Sequence, residues 1–343
     1  MLQRFRKPLV GLLVAVVIAI ALLPFLAGRN PPPTPLPNPN GYDDFITAGG
    51  LIVEAKLADF RTLGHQTLRA FVETNAEPLR LLRVGLTRRS AVPMDAAITN
   101  FSNIMSDLAR LKKLAWLLSA EGRLRELDQQ FGDAARSYVD TVGLGAELSH
   151  GGLMIHRLVG LAGEAIGRQK LSMLLPILSC EQIRPLIADL DGIDGNGVTW
   201  EEVARNERRW AGHQKFPLSP WSLWSWWQAR GSRRGVEEKH EFAAAGLRLL
   251  IVEIALRCYE SEEGHSPARL EGLVPKYLQR IPSDPFGGSP LIYRQQGTNH
   301  LLYSVGPDRV DDGGTPMVRA AAGNAAASAP APPRGDVFHD SSR

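Results

Sequence analysis

Residues 243–314 constrain the fold more than any other stretch, because several local signals follow one another there in a fixed order. Between residues 243 and 263, apolar side chains recur at steps of three and four, which predicts one helix with a single apolar face. Gly264 ends this pattern, and Ser266-Pro267 predicts a short second helix with Ser266 as its N-cap. Two prolines and two glycines between residues 282 and 288 then exclude further helix.

An antiparallel hairpin is predicted next. Residues 291–294 and 300–305 are short runs rich in aliphatic and tyrosine side chains, and residues 295–299 connect them with a glycine, as hairpin loops do. A turn rich in glycine and aspartate, residues 306–314, closes the stretch. The sequence therefore predicts a small α+β module built from one long helix, a short helix and a hairpin.

This module resembles the C-terminal region of the major pseudopilins of type II secretion. The matching pieces are the helix, Asp284-Pro285-Phe286-Gly287, Tyr293 and the run at residues 302–308, in the order that the family shows, and together they span about a fifth of the chain. In that family the acidic loop after the last strand binds calcium. By position, the resemblance implies three candidate calcium ligands: Asp308, Asp311 and Asp312.

A turn of this kind suits calcium chemically, because the ion takes about six to eight hard oxygen ligands, which carboxylates and backbone carbonyls supply together. The alternative is a solvated acidic turn whose glycines serve only the backbone. Pseudopilins begin with a short processed leader joined to a long filament-forming helix, and no such arrangement is seen here, so filament assembly is not implied. Taken as a whole, the chain resembles single-anchor bacterial membrane proteins of unassigned activity that carry this module after a helical domain.

The N-terminus predicts a membrane anchor. Residues 9–27 form an apolar run of nineteen residues, long enough to cross a bilayer as a helix. Arg4, Arg6 and Lys7 precede it, which favours a cytoplasmic N-terminus and export of the rest of the chain. A cleaved signal peptide is the alternative. The proline-rich residues that follow, 30–40, predict an extended spacer.

Most of the remaining chain has the period of helices. One apolar face runs through residues 101–118, and residues 51–72 and 153–175 repeat the same spacing without strand-like alternation. We therefore predict a mainly α protein, in which a helical bundle or short helical stack precedes the α+β module.

Aromatic and basic residues gather just before the module. Tryptophan and arginine side chains in close sequence suit a membrane interface or a partner-binding surface. The alternative is that the tryptophans cover the seam between the helical domain and the module. The candidate contact residues are Trp221, Trp224, Trp226, Trp227, Arg230, Arg233 and Arg234.

Other clusters carry weaker signals. His150 and His156, with Glu147 and Glu164 nearby, lack metal-site spacing and are interpreted as core or helix-end residues. Residues 189–202 have the composition but not the register of a calcium-binding EF-hand, so an interhelical loop with Thr199 as the next N-cap is favoured. No nucleophile elbow or phosphate-binding glycine loop is present in the sequence.

Net charge and cysteine content indicate which partners and which redox state to expect. The formal net charge is +3 without a dense basic stripe, which gives no reason to expect nucleic acid as a partner. The two cysteines, Cys180 and Cys258, both lie in apolar helical contexts, so buried free thiols are expected, with a disulfide as the alternative in an exported chain.

The predicted organisation has six parts. They are a cytoplasmic stub with its anchor at 1–29, a linker at 30–41, a helical domain at 42–215, a Trp/Arg-rich connector at 216–242, the module at 243–314 and a disordered tail at 315–343. The predicted location is the bacterial cytoplasmic membrane, with the bulk of the chain outside the cytoplasm. The predicted role is non-enzymatic binding or scaffolding of envelope proteins. The alternatives are an accessory part of a type II secretion or pilus-like system and an envelope enzyme without a recognisable motif.

Overall fold

The protein is mainly helical, with a small antiparallel sheet near its C-terminus. A computed structural model describes residues 35–53, 62–94, 101–213, 220–296, 299–317 and 335–338; the side chains of residue 101 and of residues 212–232 lie outside this description. Within these ranges there are nine α-helices and three strands. The predicted anchor at 9–27 falls outside them, and none of the described helices is both long and apolar enough to cross a bilayer.

The helices are named here in chain order. They are α1 Gly41–Leu51, α2 His65–Thr74, α3 Ala76–Leu86, α4 Phe101–Leu127, α5 Phe131–Glu147, α6 Met154–Leu174, α7 Cys180–Asn196, α8 Trp200–His213 and α9 Pro220–Glu263. Two 3₁₀ turns, Leu175–Ile177 and Leu270–Leu273, follow α6 and α9.

Polar side chains fix several helix starts. The Asn40 carboxamide accepts the Tyr42 N–H at 3.2 Å at the start of α1 and also the Ala91 N–H at 2.9 Å, so it joins two distant segments. Ser179 and Gln182 form a reciprocal capping box at α7. Thr199 Oγ1 accepts the Glu202 N–H at 3.2 Å before α8, which confirms the predicted N-cap. The loop before it is shorter than predicted, because α7 continues to Asn196.

Two large apolar cores share helix α5. One core is built mainly by α1–α4, with Leu144 and Leu148 from the end of α5. The other contains Tyr138 and Val142 of α5 together with α6, α7, α9 and the C-terminal module. A smaller cluster joins α8 to α9 through Val203 and Val236. The apolar residues of α5 therefore connect the two halves of the molecule.

Helices α5 and α6 approach each other backbone to backbone. A Cβ atom added at Gly160 would lie 2.2 Å from the Gly145 carbonyl oxygen, and one added at Gly145 would lie 2.5 Å from the Gly160 carbonyl oxygen. One at Gly167 would lie 2.6 Å from the Tyr138 carbonyl oxygen. Only glycine permits this separation, because any side chain would have to occupy the space that the facing backbone fills.

Helix α9 is longer than predicted. It begins at Pro220 rather than residue 243, so residues 220–242 of the predicted connector and the start of the module belong to one continuous helix. Proline at the first helical position favours this start, and the charged residues at 237–241 have no preference against helix. The short turn after α9 begins at Leu270, with Arg269 rather than Ser266 at its N-cap position. The Ser266 hydroxyl instead donates to Glu260 at 2.5 Å.

The sheet contains the predicted hairpin and one further strand. Strands β1, Ile292–Gln296, and β2, Asn299–Ser304, pair antiparallel with Ile292 opposite Tyr303, close to the predicted bounds. Strand β3, Val337–Phe338, pairs antiparallel with β2, with Phe338 opposite Tyr303. The prediction of a disordered tail from 315 to 343 is therefore wrong for residues 315–317 and 335–338, which are hydrogen-bonded into the module.

The two cysteines are joined. Cys180, the first residue of α7, forms a disulfide with Cys258 of α9, with 5.0 Å between their Cα atoms and a sequence separation of 78. The expectation of two buried free thiols is wrong, because the antiparallel packing of α7 on α9 brings the ends that carry the sulfurs together.

Gly160→Ala should destabilise the fold by about 1–3 kcal/mol, because the added methyl group forces α5 and α6 apart. Gly192→Ala is the matched control, since Gly192 also lies inside a helix but a Cβ atom there meets nothing within 4 Å. That control should be neutral or stabilising by about 0.5–1 kcal/mol. Chemical denaturation of both variants checks this, and equal effects would contradict the close-contact explanation.

Candidate functional site

Among the described residues, an ion-paired cluster on helices α3, α4 and α5 forms an extensive polar site. Arg83 of α3 donates from both terminal nitrogens to the Glu121 carboxylate of α4, at 2.5 and 3.2 Å. Its Nε donates to Asp140 of α5 at 2.8 Å. The Ser137 hydroxyl also donates to Glu121, at 2.9 Å. One guanidinium therefore bridges three helices with all of its nitrogens engaged.

Because the cluster is partly removed from water, each of its charged groups depends on the others for stabilisation. Glu121 is 5% exposed, so its charge depends on the Arg83 and Ser137 donors. Burial raises the pKa of Asp140, Arg83 opposes that shift, and the charges of Glu121 and Asp189 add to it. Burial alone would lower the pKa of Arg83, but hydrogen bonds and charge from Glu121 and Asp140 outweigh it and raise that pKa. Removing Arg83 would leave the buried Glu121 carboxylate without its cation, and the cost should be below the about 3–5 kcal/mol of a fully buried pair, because the Arg83 side chain is 42% exposed.

Two adjoining cavities open beside this cluster, and we name them together the α3–α5 groove. A polar cavity of about 440 Å³ is lined partly by Asp133, Arg136 and Asp189, and a less polar one of about 580 Å³ lies toward α2 and α3. Residues common to both are Arg83, Glu121 and Arg125. Apolar walls of the second cavity come from Val72, Ala76, Leu79 and Val84.

The charged residues at the floor of the groove are ion-paired, whereas two charged residues at its rim are not paired with any described residue. Arg83 is ion-paired with both Glu121 and Asp140, so these three side chains hold the groove in shape. Arg136 and Asp189 are exposed and make no hydrogen bond or ion pair with any other described residue, so their charges are free for a ligand or partner. The groove thus offers opposite charges beside an apolar wall, an arrangement that suits recognition of a polypeptide surface.

Two of the three predicted calcium ligands, Asp308 and Asp311, are engaged in other contacts through their carboxylates, whereas Asp312 contributes its backbone N–H and carbonyl oxygen. Asp311 accepts from the Tyr303 hydroxyl at 2.7 Å and the Gly313 N–H at 2.9 Å, and its second oxygen pairs with Arg294 at 2.6 Å. Asp308 accepts the N–H of Val310 at 3.3 Å. Over the described ranges, no three His, Cys, Asp or Glu side chains are placed to share a metal ion. Calcium binding therefore stays a prediction and requires Asp311 to leave Arg294.

Sequence reasoning missed the residue that organises this acidic turn. Asp336, 1% exposed, accepts the Gly314 N–H at 2.8 Å and the Asp312 N–H at 3.4 Å. Burial raises its pKa, the two N–H donors oppose that shift, and the Asp311 and Asp312 charges add to it. No local signal identifies Asp336, since it lies beyond a long alanine- and proline-rich stretch.

The Trp/Arg-rich surface is only partly described. The backbone of the four tryptophans and Arg230 belongs to α9, but their side chains lie outside the described residues. The Arg233 guanidinium lies 6.0 Å from the centre of the Trp200 ring, and Arg234 is exposed. A role of this segment in membrane or partner contact stays a prediction.

His156 is a core residue at the start of α6, and among the described residues no three potential metal ligands come together around it. His156 is buried, its Nδ1 accepts the Leu153 N–H at 3.1 Å, and burial lowers its pKa to about 4, which confirms the core and helix-end interpretation. Glu164 pairs instead with Arg157, which also donates to His240 Nδ1 at 2.9 Å. Burial and the Arg157 charge lower the pKa of His240 to about 4. These groups are occupied in packing α6 against α9.

The Asp284-Pro285-Phe286-Gly287 turn has a structural role. Asp284, 1% exposed, accepts from the Phe286 N–H, the Ser304 hydroxyl and the Val305 N–H at 2.8–2.9 Å. This carboxylate therefore fixes the turn to the end of β2, and both oxygens are occupied.

A second polar cluster, also missed from sequence, holds the hairpin on α9. His300 of β2 lies between two carboxylates of α9, with Nε2 3.1 Å from Glu253 and Nδ1 3.1 Å from Glu260. The hydrogen bond to Glu253 and the charges of both carboxylates raise the pKa of His300, against the effect of burial. Both ring nitrogens donate only in the protonated form, so the contact favours imidazolium.

Comparison of the chain with protein-family models, with curated proteins and with solved structures finds no match.

Calcium should raise the melting temperature of the full chain relative to chelator if the acidic turn binds the ion, and Asp311→Asn/Asp312→Asn should abolish the shift. An ion at about a hundred times its Kd would stabilise the fold by about 2.7 kcal/mol. Arg294→Gln should enlarge the shift, because it removes the cation that competes for Asp311. A flat response in all three proteins would leave a closed acidic turn without an ion.

The contact between His300 and α9 should stabilise the fold more at about pH 6 than at about pH 9, because a raised pKa gives stability that is lost as pH rises through the folded-state value. His300→Gln should therefore cost more stability at the lower pH. Denaturation of wild type and variant across pH measures the difference. Glu253→Gln/Glu260→Gln is the control and should flatten the same dependence, whereas an unchanged profile would exclude this explanation.

Proposed function

We propose that this protein is an extracytoplasmic binding or scaffolding component of the bacterial cell envelope, held at the cytoplasmic membrane by residues 9–27. The observation that carries this proposal is the disulfide between Cys180 and Cys258. Disulfides persist in oxidising compartments and are rare in the cytosol. The bridge thus agrees with the direction of export expected from the basic residues that precede the apolar run.

The groove supports binding over catalysis. Glu121, which is buried, and Asp140, which is partly exposed, both accept hydrogen bonds from Arg83, so these carboxylates are engaged in the structure of the groove. The exposed charges at the rim, Arg136 and Asp189, have opposite sign and lie beside an apolar wall. A protein partner with complementary charges would be oriented by the rim and held by apolar contact.

One observation favours the enzyme alternative. Four acids line the polar cavity: Glu121, Asp133, Asp140 and Asp189. If Asp140 serves catalysis, Asp140→Asn should abolish an activity and stabilise the fold, because replacing a residue that serves activity often increases stability. If it serves the ion pair, the same change should destabilise the fold, because Arg83 loses a partner.

The accessory role in a type II secretion or pilus-like system rests on the module alone. Its support is the order of α9, the Asp284 turn and the β1–β2 hairpin, together with the matching residues of the sequence. Specific co-purification of secretion components with the full chain would favour that role over a general scaffold.

The location is tested by the oxidation state of the cysteines in cells. Acid quenching, alkylation of free thiols, reduction and labelling with a large maleimide should shift the mobility of the full chain, because both sulfurs are protected until reduction. A chain without residues 1–29 is the matched control and should show free thiols in the cytoplasm. Free thiols in the full chain would overturn the proposed location.

Binding at the groove is tested with a photo-crosslinking amino acid. Placed at Arg136 on the groove rim, it should give a defined adduct in cells, while the same residue at exposed Arg205 on α8 should not. Asp189→Asn should remove the adduct, because it takes away a charge of the rim and adds no cation that would compete with Arg83 for Asp140. Adducts that survive this change, or equal adducts at both positions, would contradict a partner site in the groove.

A further inference from the structure

The surroundings of the disulfide are asymmetric. Cys258 has no exposed surface and lies in the apolar core of α9, near Leu250, Ile254 and Ala255. Cys180 is partly exposed at the first position of α7. A thiol or disulfide reagent from solvent therefore reaches one sulfur and not the other.

Two charged side chains lie beside the sulfur of Cys180. Arg184, one turn along α7, places Nη2 3.8 Å from the Cys180 sulfur. The Glu262 carboxylate lies 3.8 Å from the same sulfur and is ion-paired with both Arg184 and Lys276. In the reduced protein the carboxylate is placed to accept the Cys180 S–H, and the guanidinium is placed to stabilise the thiolate. A nearby cation and a helix N-terminus favour thiolate over thiol, and the Glu262 charge opposes them.

We infer that Cys180 is the sulfur at which this protein exchanges with low-molecular-weight thiols and disulfides, and that Cys258 acts only as the resolving sulfur. This inference goes beyond the proposed binding role and does not depend on it. It assigns a site of reversible S-thiolation to a bridge that otherwise serves the fold.

Oxidation of the two cysteines by a small disulfide takes place in two steps. In oxidation, the Cys180 thiol loses its proton to solvent, and the thiolate attacks one sulfur of a small disulfide, which releases one small thiolate. The Cys258 thiol then loses its proton and attacks the Cys180 sulfur of the mixed disulfide, which releases the second small thiolate. Two electrons pass from the protein thiols to the reagent, and two reagent thiols form.

In reduction the reagent also attacks the Cys180 sulfur, and the reaction is slow in the folded protein. A thiolate from solvent attacks Cys180, so the departing sulfur is Cys258. That sulfur leaves into an apolar environment, where the Cys180 carbonyl oxygen lies 3.7 Å away. Because such surroundings disfavour a departing thiolate, the bridge resists reduction while its exposed sulfur stays the point of entry.

The test compares single-cysteine variants of the full chain with oxidised glutathione as the probe. Cys258→Ser should form a mixed disulfide at Cys180, at least roughly ten times faster than Cys180→Ser forms one at Cys258. Denaturant should abolish the difference, because it exposes both sulfurs. Equal rates in the folded variants, or faster reaction at Cys258, would overturn the inference.

Arg184 is tested as a positioning residue through the pH profile. In the Cys258→Ser background, Arg184→Gln should move the midpoint of the rate–pH curve to higher pH, because the thiolate loses its nearby cation. Arg280→Gln, which removes an exposed positive charge elsewhere in the module, should leave the curve in place. A shift of equal size in both variants would exclude the specific role of Arg184.

A second measurement covers the case in which Cys258→Ser does not fold. Wild-type protein is reduced under native conditions and pulsed with iodoacetamide, and its peptides are mapped with time. Label should appear at Cys180 before Cys258, and the reverse order would overturn the inference. Neither result bears on the cellular location, so failure here is distinguishable from failure of the proposed function.

Discussion

The contact on which both halves of the molecule depend is the backbone approach of α5 and α6. Gly145 and Gly160 face each other without side chains, so the helix axes come closer than ordinary packing permits. This closeness lets α5 supply Tyr138 to one core and Leu148 to the other. It also places Asp140 where Arg83 of α3 reaches it, so the groove depends on the same contact.

Helix α9 depends on this arrangement in turn. It packs on α6 and α7 through apolar residues of the shared core, and polar contacts hold it at successive points along its length. His240 accepts from Arg157, Arg248 pairs with Asp194, and Cys258 is bonded to Cys180. Because α9 also carries the carboxylates that hold His300, the sheet is attached to the helices through a continuous helix and a shared core rather than through a flexible connector.

Local signals in the sequence predict the elements well and their ends less well. Apolar spacing identifies α4 and α6, and the runs around residues 291 and 303 identify the hairpin, because these signals lie within single elements. The similar spacing at residues 51–72 was misleading, since α1 ends at Leu51 and α2 begins only at His65. The start of α9 was predicted too late, since tryptophan and arginine do not show a regular apolar period although nothing in residues 220–242 stops a helix. Strand β3 is two residues long and is defined by pairing with β2, so its own sequence carries no signal.

The polar clusters were missed for a different reason, which is that their members are distant in sequence. Arg83 lies 38 residues from Glu121 and 57 from Asp140, and the cysteines are 78 residues apart. Sequence patterns report periods within an element, whereas these contacts arise only once helices cross. The apolar period brings α7 onto α9 with Cys258 inside and Cys180 at a helix end beside Arg184. The two sulfurs of this bridge therefore differ because of packing. The apolar core buries the Cys258 sulfur, and the position of Cys180 at a helix end places Arg184 and Glu262 beside its sulfur.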